Sequence, residues 1–147
     1  MAVQEGSEIA ITRIFDAPRE TVWRAFTDSK LVAKWWGPNG FTNTIQEMDV
    51  RPGGTWRFIM HSPEGKDYEN RIVYKEIMRP ERIVFEHVTG PRFQVTMTLA
   101  EEDGKTRLTY RMVFSSTAEL ERAIKEFHAV EGLNQTMGRL GNQLEAC

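Results

Sequence analysis

The chain has 147 residues, 40% hydrophobic and 27% charged, with a formal charge of -2, enough for one domain with a real core and no electrostatic case for nucleic acid or an anionic membrane. The single cysteine, Cys147, permits no disulfide within this sequence and points to a reducing compartment. No segment approaches the roughly 18 apolar residues of a membrane span, and the acidic start MAVQEGSEIA is unlike a signal peptide, so residues 1–147 are expected to form one cytoplasmic domain.

Ser7–Phe15 alternates Ile9 and Ile11 with polar positions and predicts a strand. Pro18 then sits where a first helical turn tolerates it. A short helix is expected to about Thr27, with Val22, Trp23 and Phe26 on one side. Asp28 can cap a second short helix whose apolar face is Leu31, Val32 and one of Trp35 or Trp36, ended by Gly37-Pro38. Neighbouring helical residues point roughly 100° apart, so the two tryptophans cannot fill one core site. One is expected to anchor the helix and the other to line or lid a space.

From Phe41 to Phe114 the pattern is strand after strand, with turns at Arg51-Pro52-Gly53-Gly54, at the loop SPEGKD and at EEDGK. Alternation places Trp56, Phe58 and Met60 on one face, and likewise Tyr68, Asn70, Ile72 and Tyr74. Ile83, Phe85 and His87 form a third such set, and Leu108, Tyr110, Met112 and Phe114 another. Arg57, Arg71, Lys75 and Arg111 fall on the opposite face, as a solvated sheet surface requires. The result is an antiparallel meander, apolar on one side. Ser116 and Glu119 then have capping-box spacing, and an apolar stripe from Leu120 through Ile124, Phe127 and Leu133 to Leu144 predicts one helix from there to about Leu144.

A helix is roughly 10 Å across, whereas six or seven strands at about 4.8 Å spacing span about 30 Å. One helix covers such a sheet only if the sheet curls around it, which leaves room at one end. A dry void of about 300 Å³ at about 24 cal/mol per Å³ would cost on the order of 7 kcal/mol, comparable to a whole domain's stability, so a retained void implies use. Gly132, Gly138 and Gly141 inside the helix suggest close approach to the sheet, which would leave the space nearer Leu120–Phe127.

The runs ITRIFDAPRETVWRAFTD, LVAKWWGP, MDVRPGGTWRF, PERIVFE, TMTLAEEDGKTRLTYR and EGLNQTMGRLGNQL together resemble the stand-alone bacterial proteins named after the activator of the heat-shock protein 90 ATPase. Those belong to the superfamily of START-related lipid-transfer domains, birch-pollen-type allergens and polyketide cyclases. The resemblance covers nearly the whole chain and implies an α+β helix-grip fold: a curved antiparallel sheet around a long C-terminal helix, with two short helices after the first strand. Because one fold hosts carriers, receptors, cyclases and co-chaperone domains, it implies fold with more force than function. The co-chaperone activity belongs to two-domain eukaryotic relatives and is not carried over. Family members often have Trp directly after the glycine of the last helix; Leu133 follows Gly132 here, which implies a wider space.

Generic catalytic motifs are absent, and His61, His87 and His128 lack metal-ligand spacing, so neither metal nor cofactor is expected. His87 shares a face with Tyr110, Tyr74 and Asn70, which permits an acid/base reading but equally a set of mutually hydrogen-bonded groups in an apolar bowl. Glu47 and Asp49 read as a solvated rim. Met60, Met97, Met112 and Met137 read as core, or as an adaptable pocket wall. The leading expectation is a non-catalytic binder of a small hydrophobic molecule. Trp36, Trp56, Phe58, Tyr74, Phe85, Tyr110 and Phe127 would supply walls, and His87 and Asn70 would fix a polar end. The alternatives are a cyclase- or hydrolase-type enzyme acting in the same cavity and a co-chaperone-like interaction module in a stress response. A homodimer is left open.

Overall fold

The computed structural model describes residues 3–89 and 92–145; Cys147 lies outside them. Strands β1 (Val3–Glu5) and β2 (Glu8–Phe15) precede helices α1 (Arg19–Thr27) and α2 (Ser29–Trp35). Six strands follow: β3 (Thr42–Met48), β4 (Thr55–His61), β5 (Asp67–Met78), β6 (Arg82–His87), β7 (Phe93–Glu102) and β8 (Lys105–Phe114). Helices α3 (Thr117–Phe127) and α4 (Ala129–Glu145) end the chain. The described strands form one antiparallel sheet in the order β1-β2-β8-β7-β6-β5-β4-β3. The α+β helix-grip arrangement is therefore present, and β1, hairpinned onto β2 through Gly6, extends the edge beyond the expected strands.

The alternation in the sequence becomes rows across the sheet. Trp56, Ile72, His87, Phe93 and Phe114 are successive register partners over five strands. Tyr74, Phe85, Val95, Met112 and Ile9 form another row. Side chains of one row share one face, here the concave one. On the outer face three of the four expected basic residues are paired, Arg57 with Glu47, Lys75 with Glu86 and Arg111 with Glu8.

The Arg51-Pro52-Gly53-Gly54 turn is tied to β5. The Gly53 N–H donates to the Tyr74 carbonyl at 2.8 Å, and the Tyr74 N–H donates to the Gly54 carbonyl at 3.0 Å. A Cβ on Gly54 would collide with the Asp49 carbonyl oxygen, so this glycine is required by backbone approach.

The expected uninterrupted last helix is divided in two. Ser116 caps α3 as its spacing predicts, accepting from the Glu119 N–H at 3.1 Å. The chain then breaks at His128, whose backbone is left-handed (φ 51°, ψ 48°). The break keeps its hydrogen bonds, from His128 N–H to Ile124 and from Gly132 N–H to the His128 carbonyl, so no glycine or proline was needed to announce it. It lets α3 pack on β8 while α4 packs on β2, α1 and α2; a straight rod could not follow both. The expected close approach does not require these glycines: a Cβ on Gly132 or Gly141 would meet Pro38 or Phe15 at 3.5 Å, an ordinary contact, and one on Gly138 would meet open space.

Candidate functional site

The two tryptophans separate as their spacing demands. Asp28 caps α2, its carboxylate accepting from the Lys30 N–H at 2.9 Å. Trp35 is 0% exposed and donates its indole N–H to the Ala25 carbonyl at 2.9 Å. Trp36 has left the helix for an extended backbone and is half-buried. Its ring stands edge-on to Trp35 at 5.4 Å and to Trp56 at 4.8 Å.

Arg139 of α4 holds this corner. Its Nη1 donates to the carbonyls of Trp36, Gly37 and Pro38 at 3.2, 3.0 and 2.9 Å, and its Nη2 to that of Lys34 at 3.1 Å. These carbonyls lie at and just beyond the end of α2, outside its intrahelical ladder, where a cation is also favoured by the helix dipole. Burial lowers the guanidinium pKa somewhat from its ordinary value without threatening its charge. Gln135 accepts from the Asn39 N–H at 3.0 Å, and Asn43 donates to the Trp36 carbonyl at 2.8 Å.

Trp36 lines an open pocket of about 900 Å³ between the concave sheet face and the α3–α4 junction. Its floor includes Phe58, Ile72, Phe85, Tyr110, Phe114 and Leu133. Its mouth lies between the β4–β5 hairpin and residues around His128. The pocket opens to solvent, so the cost of a dry void does not apply, and its existence alone is a weaker sign of use than a sealed hole would be.

His87 is 6% exposed and lies parallel to Phe93, ring centroids 4.8 Å apart. Asn70 donates its amide N–H to the Tyr68 carbonyl at 2.9 Å, leaving its oxygen as the acceptor for His87 Nε2 at 2.7 Å. The neutral ring therefore carries its proton on Nε2. Tyr110 is 4% exposed, and its hydroxyl makes no hydrogen bond among the described residues. Burial pushes its phenol above the ordinary value of 10. It is a neutral donor at physiological pH.

Of the nine expected site residues, Trp36, Phe58, Asn70, Phe85, His87, Tyr110 and Phe127 line this pocket. Trp56 and Tyr74 do not. Trp56 lies under Trp36 and stacks on Phe58 at 4.4 Å, which shields it from the space. Tyr74 lies where the Gly53-Gly54 turn closes the sheet and β5 shifts register. Its hydroxyl is buried without a partner, and its pKa is raised by burial and then by the charge of Asp49. Phe127 is on the rim at 49% exposure, not within the floor.

The methionines divide: Met60 and Met112 line the pocket, while Met97 and Met137 are wholly buried core. Glu47 pairs with Arg57 and Asp49 with Arg51, both away from the pocket, as a rim. His61 is held by Asp67 and Thr44, each at 2.7 Å. Among the described residues no group of three His, Cys, Asp or Glu could hold a metal ion, and no helix is long and apolar enough to cross a membrane. Sequence reasoning missed Phe41, Tyr68, Phe93 and Arg139. Tyr68 and Phe93 carried the correct parity, but nothing in the sequence paired Arg139 with carbonyls about a hundred residues away.

Solved structures share this architecture. A protein from Arthrobacter aurescens superposes with a TM-score of 0.93 at 19% identity, over 100% of this chain and 92% of its own. One from Mycobacterium smegmatis has a TM-score of 0.88 at 25% identity, over 99% and 97%. One from Chromobacterium violaceum has 0.82 at 26%, over 95% and 97%. Among curated proteins none matches the sequence. The family model described as Activator of Hsp90 ATPase homolog 1-like protein matches residues 16–145, and the chain belongs to that family.

Proposed function

We propose that this protein binds a small, mainly hydrophobic molecule in the pocket between its concave sheet and the α3–α4 junction. The observation that carries the reading is the convergence of aromatic and aliphatic walls with two polar features, the His87–Asn70 pair and the Tyr110 hydroxyl, on a space that no side chain fills. A few fixed polar groups in an otherwise apolar concavity are the usual make-up of a small-molecule site. Phe58, Phe85, Trp36 and Phe127 would cover the ligand's apolar body, and Tyr110 would donate to an oxygen or nitrogen on it.

Binding without turnover is the better supported form. The Tyr110 phenol is displaced away from ionisation and so supplies no base at neutral pH, while the His87 Nε2–H is engaged in a hydrogen bond to Asn70. Native mass spectrometry of gently purified protein, followed by organic extraction, should reveal an added mass of a few hundred daltons. A panel of lipophilic compounds should raise the melting temperature, and Met112→Trp, which fills the pocket from its half-buried wall, should abolish both signals. No added mass and no shift from any compound would overturn the proposal.

A further inference from the structure

The charge around the pocket is one-sided. Five carboxylate residues line it, Glu64, Asp67 and Glu69 from the β4–β5 hairpin and Glu126 and Glu131 from the helix junction. Among the described lining residues there is no Lys or Arg, although the chain carries 19 of these against 21 Asp and Glu. Asp67 is occupied by His61 and Glu126 by Arg122. Glu64, Glu69 and Glu131 make no ion pair among the described residues. Asp67 and Glu69 share the strand parity of Arg71 and turn toward the outer face, which leaves Glu64 of the hairpin and Glu131 of the helix junction as the unpaired acids along the pocket.

Aromatic rings are interleaved with these acids. Tyr68 is 40% and Phe127 49% exposed, and Phe41 lies 6.4 Å from Tyr68, centroid to centroid; all three line the pocket. Ring faces beside carboxylates attract an ammonium through cation–π and Coulomb terms together. Behind them Tyr110, 4% exposed as a residue, lines the pocket, and its hydroxyl makes no hydrogen bond among the described residues. An anionic headgroup would meet no Lys or Arg among the described lining residues, so its desolvation would lack an ion-pair partner there. The field of several like charges over a low-dielectric cleft adds to that discrimination.

Resting on the binding reading above, we propose that the ligand is a cationic amphiphile, an apolar body seated on the Phe58–Phe85–Tyr110 floor with a protonated amine or quaternary ammonium held at the acidic, aromatic mouth. Fatty-acid-type anions are the class this mouth excludes.

Three ten-carbon probes with one tail and different heads test this: decylamine, decanol and decanoate, below their aggregation concentrations, at neutral pH and low ionic strength. Displacement of a neutral fluorescent naphthylamine should rank them amine, alcohol, acid, with amine and acid separated by about tenfold or more. Molar salt should shrink that gap, because screening acts on partly exposed charges. In the double variant Glu64→Gln, Glu131→Gln the ratio of amine to alcohol affinity should fall toward one. Equal binding of amine and alcohol, or tighter binding of decanoate, overturns the charge inference while leaving the pocket as a binder. Failure of all three probes to bind, or binding that persists unchanged in Met112→Trp, overturns the pocket reading as well. An amine preference that survives the double substitution assigns the selectivity to groups other than these acids and sinks the inference as stated.

Discussion

The two ends of the concave sheet face are built from similar residues and end up differently. Around β2 and β8, Ile9, Ile11, Leu108, Met137 and Leu140 are all but sealed from solvent, with Trp35 and Leu120 equally buried. Around β4, β5 and β6, residues of the same chemistry, such as Phe58, Ile72 and Phe85, are as little exposed themselves but lie along the pocket. The difference lies in the helices. Those of the C-terminal half lie against β2, β8, α1 and α2, and the break at His128 turns the chain away before it covers the remaining strands. A pocket here needs no special residues at its floor, only a cover narrower than what it covers.

The neighbouring tryptophans test that contrast most strongly. Trp35→Ala should cost about 3–5 kcal/mol of unfolding free energy, as large aromatic truncations in a packed core do. Trp36→Ala should cost clearly less while weakening ligand binding more. Urea unfolding of both variants decides it, and equal losses would mean that the pocket end is packed like the other. Arg139→Met comes next. It removes a donor from four carbonyls at the end of α2, of which Trp36 keeps Asn43 and Pro38 keeps the Phe41 N–H, so a loss of about 1–3 kcal/mol is expected. Faster amide exchange should be confined to residues 36–41, because the clamp joins the two ends only there.

The smallest effect is assigned to Tyr74→Phe. Its buried hydroxyl has no partner, so removing it should leave stability at neutral pH unchanged or slightly raised. The sharper signature is alkaline. Tyr74 and Tyr110 both have folded-state values above the ordinary 10, so the unfolded chain releases these protons first. Stability is level with respect to them below pH 10 and falls as pH rises above it. Melting curves across that range should show the fall, and Tyr74→Phe should make it shallower. An unchanged slope would show that Tyr74 ionises as freely in the folded protein as in the unfolded one.

Much of this molecule follows from local rules that act over two to four residues. Strand alternation placed Phe85, His87 and Tyr110 on the concave face, Asp28 and Ser116 capped their helices as their spacing implies, and Trp35 and Trp36 had to diverge because of the helical turn angle. Tertiary structure decided what depends on partners far apart in the chain. It broke the last helix at His128, where sequence periodicity continues undisturbed, because one rod cannot pack on both β8 and β2. It moved Trp56 and Tyr74 out of the pocket, stacking one under Trp36 and placing the other where the Gly53-Gly54 turn joins the β5 backbone. It also gathered carboxylates from a hairpin and a helix junction around one mouth. Parity states which face a residue takes, but only three-dimensional packing determines what lies above that face.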